Sequence, residues 1–257
     1  QAFLACRLIP LDKRPGVRPI GICEVIRRII GKAVMGVVRS DVLQAAGPLQ
    51  LCAGHEGGSE AAVHAMREIF SDSATDGLLF VDASNAFNNL NRQVALRNIQ
   101  YVCPVVAKVL INCYRSQAFL FVGGKTIFSQ EGTTQGDPLA MMMFALATVP
   151  LIHAVKTAST TQAWFADDAA SGGRLRGLRL WWDALLRVGP AFGYFPNAVK
   201  TVLLIKPALR EEAAAVFADT EVNITTDGKA YLGAAFGSDE FIASSLADKV
   251  KAWVDEV

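Results

Sequence analysis

The sequence predicts an α+β fold in which an antiparallel sheet packs on helices. Apolar runs of strand length and helical patterns are mixed without the strict alternation that a parallel sheet requires. Two neighbouring apolar runs also flank a Gly-Gly pair, which is typical of an antiparallel hairpin. The chain has 257 residues, of which 52% are hydrophobic and 19% charged, so it can bury a substantial core. This composition excludes disordered and collagen-like proteins.

The first third of the chain contains two predicted helices and one predicted strand. Apolar residues at helical spacing predict a helix over residues 22–46, which ends before Gly47-Pro48. Ser59 is a candidate N-cap for a second helix that runs to about Phe70. Gly77 then precedes a continuous apolar run that ends on Asp82 and predicts a buried strand.

The middle of the chain contains helices and one hairpin. Helical patterns run from about Arg92 to Ser116 and break near Pro104, and the two halves of Ala118–Ser129 flank the glycine pair. A loop of Gly, Thr and Gln residues covers Glu131–Asp137, and Pro138 suits the first turn of a long apolar helix.

The last third mixes short strands with helices. The predicted strands cover residues 161–165, a return from Ala169, 201–205, 221–225 and 229–234, and the predicted helices cover 174–188 and 209–217.

Charge is distributed unevenly along the chain, although the net charge is only +1. Residues 1–39 carry eight basic and two acidic side chains, whereas the remainder carries 17 basic and 22 acidic ones. A basic arm and an acidic body suit a polyanion bound at one end and a cation site elsewhere. A solvated basic helix face is the alternative.

Several features indicate an intracellular protein, in the cytoplasm or the nucleus, with no membrane partner. The longest apolar run has nine residues, whereas a bilayer span needs about 20. No signal-peptide pattern is present, and the five scattered cysteines predict reduced thiols rather than disulfides or a zinc site. Gln1 in place of an initiator Met predicts a piece of a longer protein.

Carboxylates follow two of the predicted buried strands. Asp82 follows the strand that begins at Leu78, and Asp167 and Asp168 follow the strand that ends at Phe165. Burying acidic groups beside one another is costly unless a cation or partner compensates them. Oxygen donors without nearby His or Cys favour Mg²⁺ or Mn²⁺, and three carboxylates can hold two ions about 4 Å apart for phosphoryl transfer. An Asp-Asp pair that merely forms a turn is the alternative.

Six segments between about Leu11 and Gly233 match one set of motifs in one order. They are Arg18-Pro19-Ile20, Asp82-Ala83-Ser84-Asn85-Ala86-Phe87, the loop from Glu131 to Leu139, Phe165-Ala166-Asp167-Asp168, Gly193 with Asn197-Ala198-Val199-Lys200-Thr201, and Tyr231-Leu232-Gly233. In this order and spacing they resemble the polymerase domain of retroelement reverse transcriptases, in particular the non-LTR and related kinds.

The resemblance implies a right-hand polymerase made of fingers and palm. Residues 1–76 would form the N-terminal part of the fingers, and residues 77–240 the palm, with a fingers hairpin inserted near 117–130. Residues 241–257 would begin the thumb or a connection. Because only 24 residues follow Gly233, the thumb is expected to be missing or truncated.

The implied activity is template-directed DNA synthesis from deoxynucleoside triphosphates on an RNA or DNA template, by two-metal-ion phosphoryl transfer. The implied partners are an RNA template and a DNA primer. The chain would belong to a retrotransposon polyprotein, with thumb, endonuclease or integrase/recombinase, and RNase H domains elsewhere in that protein.

The resemblance also assigns the metal ligands. Asp82 and Asp167 would ligate two Mg²⁺ ions, with Mn²⁺ as a substitute. The backbone carbonyl of Ala83 would complete one shell, and Asp168 would support the pair.

The remaining roles concern nucleotide and primer. Phe87 would clash with a 2′-hydroxyl and so select deoxynucleotides, with a core Phe as the alternative. Gln135 and Gly136 would contact the incoming nucleotide and template, unless they simply form a helix-entry loop. Lys200 would approach the pyrophosphate, and Leu232 and Gly233 would grip the primer. Lys13 and Arg18 would bind the triphosphate, with solvated surface charge as the alternative for all three basic residues.

A second function remains open at this point. The chain could be a polymerase-derived RNA-binding module that has lost catalysis. The presence of all three carboxylates favours the enzyme, because drift would be free to remove such costly groups.

Overall fold

The structure is a computed structural model that describes residues 2–13 and 16–255. It has the predicted α+β fold, and two compact units divide the chain. The first unit comprises the residues up to Glu56, Ser84–Ala154 and Val188–Phe195, and the second comprises Gly57–Ala83, Val155–Arg187 and the residues from Pro196 onward. The predicted fingers and palm boundaries stay predictions.

The elements alternate irregularly along the chain. The strands are β1 (Cys6–Asp12), β2 (Val17–Cys23), β3 (Gly77–Val81), β4 (Ala118–Val122), β5 (Lys125–Ser129), β6 (Thr160–Phe165), β7 (Asp168–Gly173), β8 (Val202–Ile205), β9 (Asn223–Thr225), β10 (Gly228–Tyr231) and β11 (Ala234–Gly237). The helices are α1 (Val25–Ala46), α2 (Gly58–Ser71), α3 (Ala86–Asn89), α4 (Arg92–Val102), α5 (Pro104–Tyr114), α6 (Ala140–Ala154), α7 (Leu175–Phe192), α8 (Arg210–Val216) and α9 (Asp239–Asp255).

The first unit contains a four-stranded sheet in the order β2-β1-β4-β5. The β1–β2 and β4–β5 pairs are antiparallel, and β1 pairs with β4 in parallel. Gly123-Gly124 forms the predicted turn, with φ values of 52° and 75°. This unit also holds α1 and α4, which pack on α6, and α5, which packs on α4 and α1.

Helix α6 forms the centre of the first unit's core. Its residues from Met142 to Val149 are all buried, because the run is apolar on every side. The helix has only 15 residues. Among the residues that the structure describes, no helix combines the length and apolar character needed to cross a bilayer.

The second unit contains a five-stranded sheet in the order β6-β7-β3-β8-β9. All pairs are antiparallel except β8–β9, and every residue of the central strand β3 is buried. Helix α2 packs on β6 and β7. Gln162 in β6 accepts hydrogen bonds from the indoles of Trp164 and Trp181, both 3.0 Å long, and the two tryptophans of α7, Trp181 and Trp182, are buried in the core.

The β10–β11 hairpin lies against strand β3 within the second unit. The ring of Tyr231 lies 4.9 Å from that of Phe80, and the ring of Phe236 lies 5.4 Å from it. Arg67 of α2 stacks over Phe236 at 5.6 Å. These aromatic contacts hold the hairpin on the sheet.

One hairpin went unpredicted, and three local predictions were wrong. The β1–β2 hairpin went unpredicted because Pro10 and Pro19, which face each other in it, weaken a strand pattern. Helix α1 therefore starts at Val25 rather than at residue 22. Ser59 is not a cap, since α2 begins at Gly58 after Gly57 in the left-handed conformation. The predicted strand over 229–234 is two strands separated by a turn.

We expect Gly193→Ala to lower the free energy of unfolding by at least about 3 kcal/mol. Gly193 has a φ of 76°, and a Cβ there would lie 1.9 Å from the carbonyl oxygen of Asn89. Chemical denaturation measures the loss, with Gly36→Ala in α1 as the matched control. No atom lies within 4 Å of a Cβ at Gly36, so that change should stabilise the helix by about 0.5–1 kcal/mol. Equal effects of the two substitutions would contradict this packing.

Candidate active site

Strand register brings Asp82 and Asp168 opposite each other in the second unit. Val81 pairs with Ala169 at the end of the β3–β7 ladder, and the two aspartates occupy the next position on each strand. Asp168 also begins β7, opposite Phe165 of β6, so that Asp167 lies in the intervening two-residue turn. The three carboxylates therefore come from adjacent strand ends.

The β6–β7 turn is strained at the carboxylate pair. Ala166, directly before Asp167, has a φ of 55°, which costs a non-glycine residue about 1–2 kcal/mol. Strand pairing on both sides imposes this conformation, because a two-residue hairpin turn needs a positive φ. Such strain is typical of functional sites, where surrounding structure maintains it.

The segment from Asn197 to Thr201 is hydrogen-bonded to the backbone of Asp82 and places Lys200 beside the Asp82 carboxylate. The Asn197 N–H donates to the carbonyl oxygen of Asp82 at 2.8 Å, and Ala83 forms an antiparallel bridge with Pro196. The side-chain oxygen of Asn197 accepts from the backbone N–H of Lys200 at 3.2 Å. Lys200 Nζ then lies 3.5 Å from Asp82 Oδ2. Lys200 thus forms an ion pair with a candidate metal ligand.

Partial burial and, to a lesser extent, like charges raise the pKa of Asp168. Its side chain reaches solvent, yet the protein atoms around the carboxyl, and secondarily Asp167 and Asp82, raise its pKa to about 6, while Lys229 acts in the opposite direction. Burial, with a further contribution from Asp168, also raises the pKa of Tyr231. Sequence reasoning missed Lys229 and Tyr231 as site neighbours, although their alternation on β10 places both on one face.

The donor set fits a hard divalent cation. Three carboxylates and the carbonyl of Ala83 supply only oxygen ligands, which Mg²⁺ and Mn²⁺ prefer. Burial is the largest cause of the raised pKa of Asp168, and the charges of Asp167 and Asp82 add to it against the opposing effect of Lys229. Across residues 2–13 and 16–255, however, no three His, Cys, Asp or Glu side chains converge as a ready-made metal site. The residue types suit the ion, and the carboxylates would have to close around it.

We expect Asp168 to make stability decrease with rising pH. Its pKa of about 6 exceeds the ordinary value of 3.8, so protonation favours the folded state. That stabilisation is complete below about pH 4 and is lost as the pH rises through about 6. Urea unfolding in EDTA gives the free energies of unfolding of wild type and of Asp168→Asn. The wild-type value minus the variant value should decrease as the pH is raised from 4.5 to 7.5. A constant difference would contradict the prediction.

The predicted primer-gripping residues form the tight turn between β10 and β11. Leu232 and Gly233 both have positive φ, 47° and 83°, which matches the turn type that suits the twist of a hairpin. Lys249 of α9 donates a hydrogen bond to the carbonyl oxygen of Gly233. Helix α9 thereby contacts the tip of the hairpin.

In the first unit, Phe87 is half-buried on the short helix α3. Its ring stacks on that of Phe144 in α6, with 4.5 Å between centroids and an 18° angle between planes. Asn85, with a φ of 50°, starts the helix. The stacking fixes the Phe87 ring at a defined position.

Gln135 and Gly136 lie in the same unit, on a loop bonded to strand β2. The Gly21 N–H donates to the carbonyl oxygen of Gln135 at 2.7 Å. Gly136 has a φ of 101°, and a Cβ there would lie 2.5 Å from the carbonyl oxygen of Gly21. The backbone of β2 therefore approaches this loop at a distance that only glycine permits.

Lys13 and Arg18 lie on the β1–β2 hairpin of the first unit. Both side chains are exposed, and within the described part of the chain neither forms an ion pair. The Lys13 N–H donates to the carbonyl oxygen of Gly16 at 3.0 Å, and Arg18 faces Leu11 across the strands. Both remain accessible to an anionic ligand.

Comparison with solved structures identifies the fold. No family model matches the sequence, and no curated protein matches it significantly. A telomerase from Candida tropicalis, truncated from the C-terminal domain, superposes with a TM-score of 0.66 at 11% identity over 91% of this chain and 53% of its own. A Candida albicans telomerase in complex with a fragment of telomeric RNA gives 0.65 at 10% identity, over 92% and 44%. This chain therefore has the fold that these telomerase structures share. This chain spans about half the length of those telomerases.

Proposed function

We propose that this chain carries the fingers and palm of an RNA-directed DNA polymerase from a retrotransposon. It would extend a DNA primer on an RNA or DNA template inside the cell. The observation that carries the proposal is the placement of Asp82, Asp167 and Asp168 at adjacent strand ends of a reverse-transcriptase-like fold. The thumb, endonuclease or integrase/recombinase, and RNase H domains would lie elsewhere in the polyprotein.

In the proposed reaction, the primer 3′-oxygen forms a bond to the α-phosphorus of a deoxynucleoside triphosphate. The bond between that phosphorus and the oxygen bridging the α- and β-phosphates breaks, the proton of the 3′-hydroxyl passes to water, and pyrophosphate leaves. Asp82, Asp167 and the carbonyl of Ala83 would hold two Mg²⁺ ions, with Asp168 in support. When bound, those ions lower the pKa of the 3′-hydroxyl and neutralise the triphosphate.

Lys200 would act on the leaving group. Its ammonium lies beside Asp82 and is exposed, so it can exchange this ion pair for contact with pyrophosphate. It would then donate a proton to the departing oxygen as general acid.

Five residues of the first unit would recognise the nucleotide. Phe87, fixed by stacking on Phe144, would exclude a 2′-hydroxyl. Gln135 and Gly136 would contact the base pair, and the exposed cations of Lys13 and Arg18 would bind the triphosphate. The Leu232-Gly233 turn would hold the primer.

A catalytically inactive RNA-binding module is the second candidate. The observation that favours it is that the described carboxylates do not form a ready-made metal site. The two functions differ in one measurable property, since only the enzyme adds nucleotides.

Single-nucleotide incorporation tests the proposal. The 257-residue chain is incubated with Mg²⁺, one labelled deoxynucleotide and a DNA primer annealed to RNA. We expect Mg²⁺-dependent addition that EDTA abolishes. Binding of the RNA–DNA duplex without any addition, in Mg²⁺ or Mn²⁺, would overturn the polymerase proposal and support the module.

A further inference from the structure

A buried ionic cluster lies where the Gln135–Gly136 loop joins helix α6. Asp137 and Arg27 are 5% and 4% exposed and form an ion pair. Asp137 Oδ2 also accepts a hydrogen bond from the Tyr114 hydroxyl at 2.5 Å, and its Oδ1 accepts from the Leu139 N–H at 3.1 Å. One carboxylate thus joins α1, α5 and the start of α6.

Stability by itself does not explain this cluster. A buried ion pair is often no more stabilising than apolar residues of similar volume, because both charges lose their hydration. Arg27 Nε, moreover, is buried without an acceptor among the described residues. The cluster does fix the position of the Asp137 carboxylate, because three donors converge on it.

The same carboxylate residue closes the loop that contains Gln135. The Asp137 N–H donates to the carbonyl oxygen of Thr134 at 3.0 Å, which forms a tight turn around Gln135 and Gly136. At the other end of the loop, the Thr133 N–H donates to the carbonyl oxygen of Phe87 at 2.7 Å. A displacement of Asp137 would therefore move Gln135 and also loosen the backbone of Phe87.

Arg92 holds the backbone that leads into this loop, residues 129–132. Its guanidinium donates to the carbonyl oxygens of Ser129, Glu131 and Gly132 at 2.7–3.1 Å. It also stacks over the Tyr114 ring at 5.6 Å, while Arg27 lies 5.7 Å from the centroid of the same ring. The ring of Tyr114 is thus held independently of its hydroxyl.

We propose that Asp137 is a positioning residue which, with Arg27 and Tyr114, holds residues 132–136 in one conformation and so sets the affinity for the incoming nucleotide. This inference rests on the proposed polymerase function. Asp137 itself is buried behind the loop and would act on the nucleotide only through Gln135 and Phe87.

Tyr114→Phe tests the proposal because it removes the hydroxyl and keeps the ring. We expect the KM for the deoxynucleotide to rise about tenfold, while kcat stays within about twofold of wild type. Asp137→Asn leaves the Arg27 charge unpaired and should give a larger rise. If that variant does not fold, Tyr114→Phe decides by itself.

Two controls separate positioning from a general loss of stability. Tyr101→Phe removes the hydroxyl of a tyrosine on α4 that is 77% exposed, and should change nothing. Leu110→Val opens the buried core on α5, the helix that also carries Tyr114. If Leu110→Val lowers the melting temperature as much as Tyr114→Phe and raises KM equally, the positioning role is refuted.

Hydrogen exchange gives a readout that needs no catalysis. In Tyr114→Phe we expect the amides of Gly21 and Thr133 to exchange at least about tenfold faster, and those of β3 to exchange as in wild type. Unchanged exchange at Gly21 and Thr133 would overturn the inference. A wild-type chain that incorporates no nucleotide would refute the proposed function, and the exchange rates would still decide whether the cluster holds the loop.

Discussion

Asp167→Asn is expected to reduce Mg²⁺-dependent nucleotide incorporation by at least about a thousandfold. The amide keeps the size of the side chain but removes the charge and one anionic oxygen from the carboxylate group at the β6–β7 turn. Single-turnover incorporation on an RNA template, at saturating nucleotide, measures the loss in the chemical step. The same change at Asp82 should have a similar effect.

The loss should occur in a folded protein. Asp167 raises the pKa of Asp168 by charge repulsion, so removing its charge should leave the melting temperature in EDTA unchanged or higher. Asp248→Asn, at an exposed position of α9, is the matched control and should retain full activity. An Asp167→Asn protein that keeps a tenth of wild-type activity would exclude this carboxylate from the reaction.

Phe87→Val is expected to reduce discrimination against ribonucleotides by about a hundredfold. The Phe87 ring is fixed by stacking on Phe144, so a shorter side chain would leave room for a 2′-hydroxyl without moving the backbone. The ratio of kcat/KM for a deoxynucleotide and the matching ribonucleotide measures the effect, which should arise from better use of the ribonucleotide.

A second aromatic residue of the first unit provides the control for Phe87. Phe121→Val changes a side chain that is 47% exposed on β4 and should leave the discrimination ratio as in wild type. Loss of the stacked pair should itself lower the free energy of unfolding by about 0.5–1.5 kcal/mol beyond the lost burial. If Phe87→Val is folded and its ratio is unchanged, Phe87 is a core residue and does not select the sugar.

Much of the fold follows from local sequence. The continuous apolar run before Asp82 becomes the central strand β3, the glycine pair forms the β4–β5 turn, and the chain breaks between α4 and α5 near Pro104 as expected. These elements were predictable because hydrophobic period and turn chemistry act over a few residues. The β1–β2 hairpin was not predictable in this way. Pro10 and Pro19 weaken the strand pattern of each segment, and only the pairing of the two strands shows that both prolines are tolerated.

The candidate site was only partly predictable. Motif order identified Asp82, Asp167 and Asp168, but the register that sets Asp82 opposite Asp168 emerges only when β3 and β7 pair. Lys229 belongs to no motif, and Tyr231 belongs to a motif that implied only a primer contact, yet both lie close enough to affect Asp168 because the β10–β11 hairpin packs near it. The environment of a carboxylate depends on charges brought close by folding, which linear spacing does not show.

By itself, the sequence determined the type of fold, the order of its main elements and the three carboxylates that follow buried apolar runs. Only the tertiary structure decided which charges meet: Lys200 with Asp82, and Arg27 with an aspartate 110 residues away. The physical reason is the distance along the chain over which each kind of interaction acts. Backbone preferences and hydrophobic period are local and can be detected along the chain, whereas electrostatic and hydrogen-bond partners are chosen by distance in space, which only the packed chain defines.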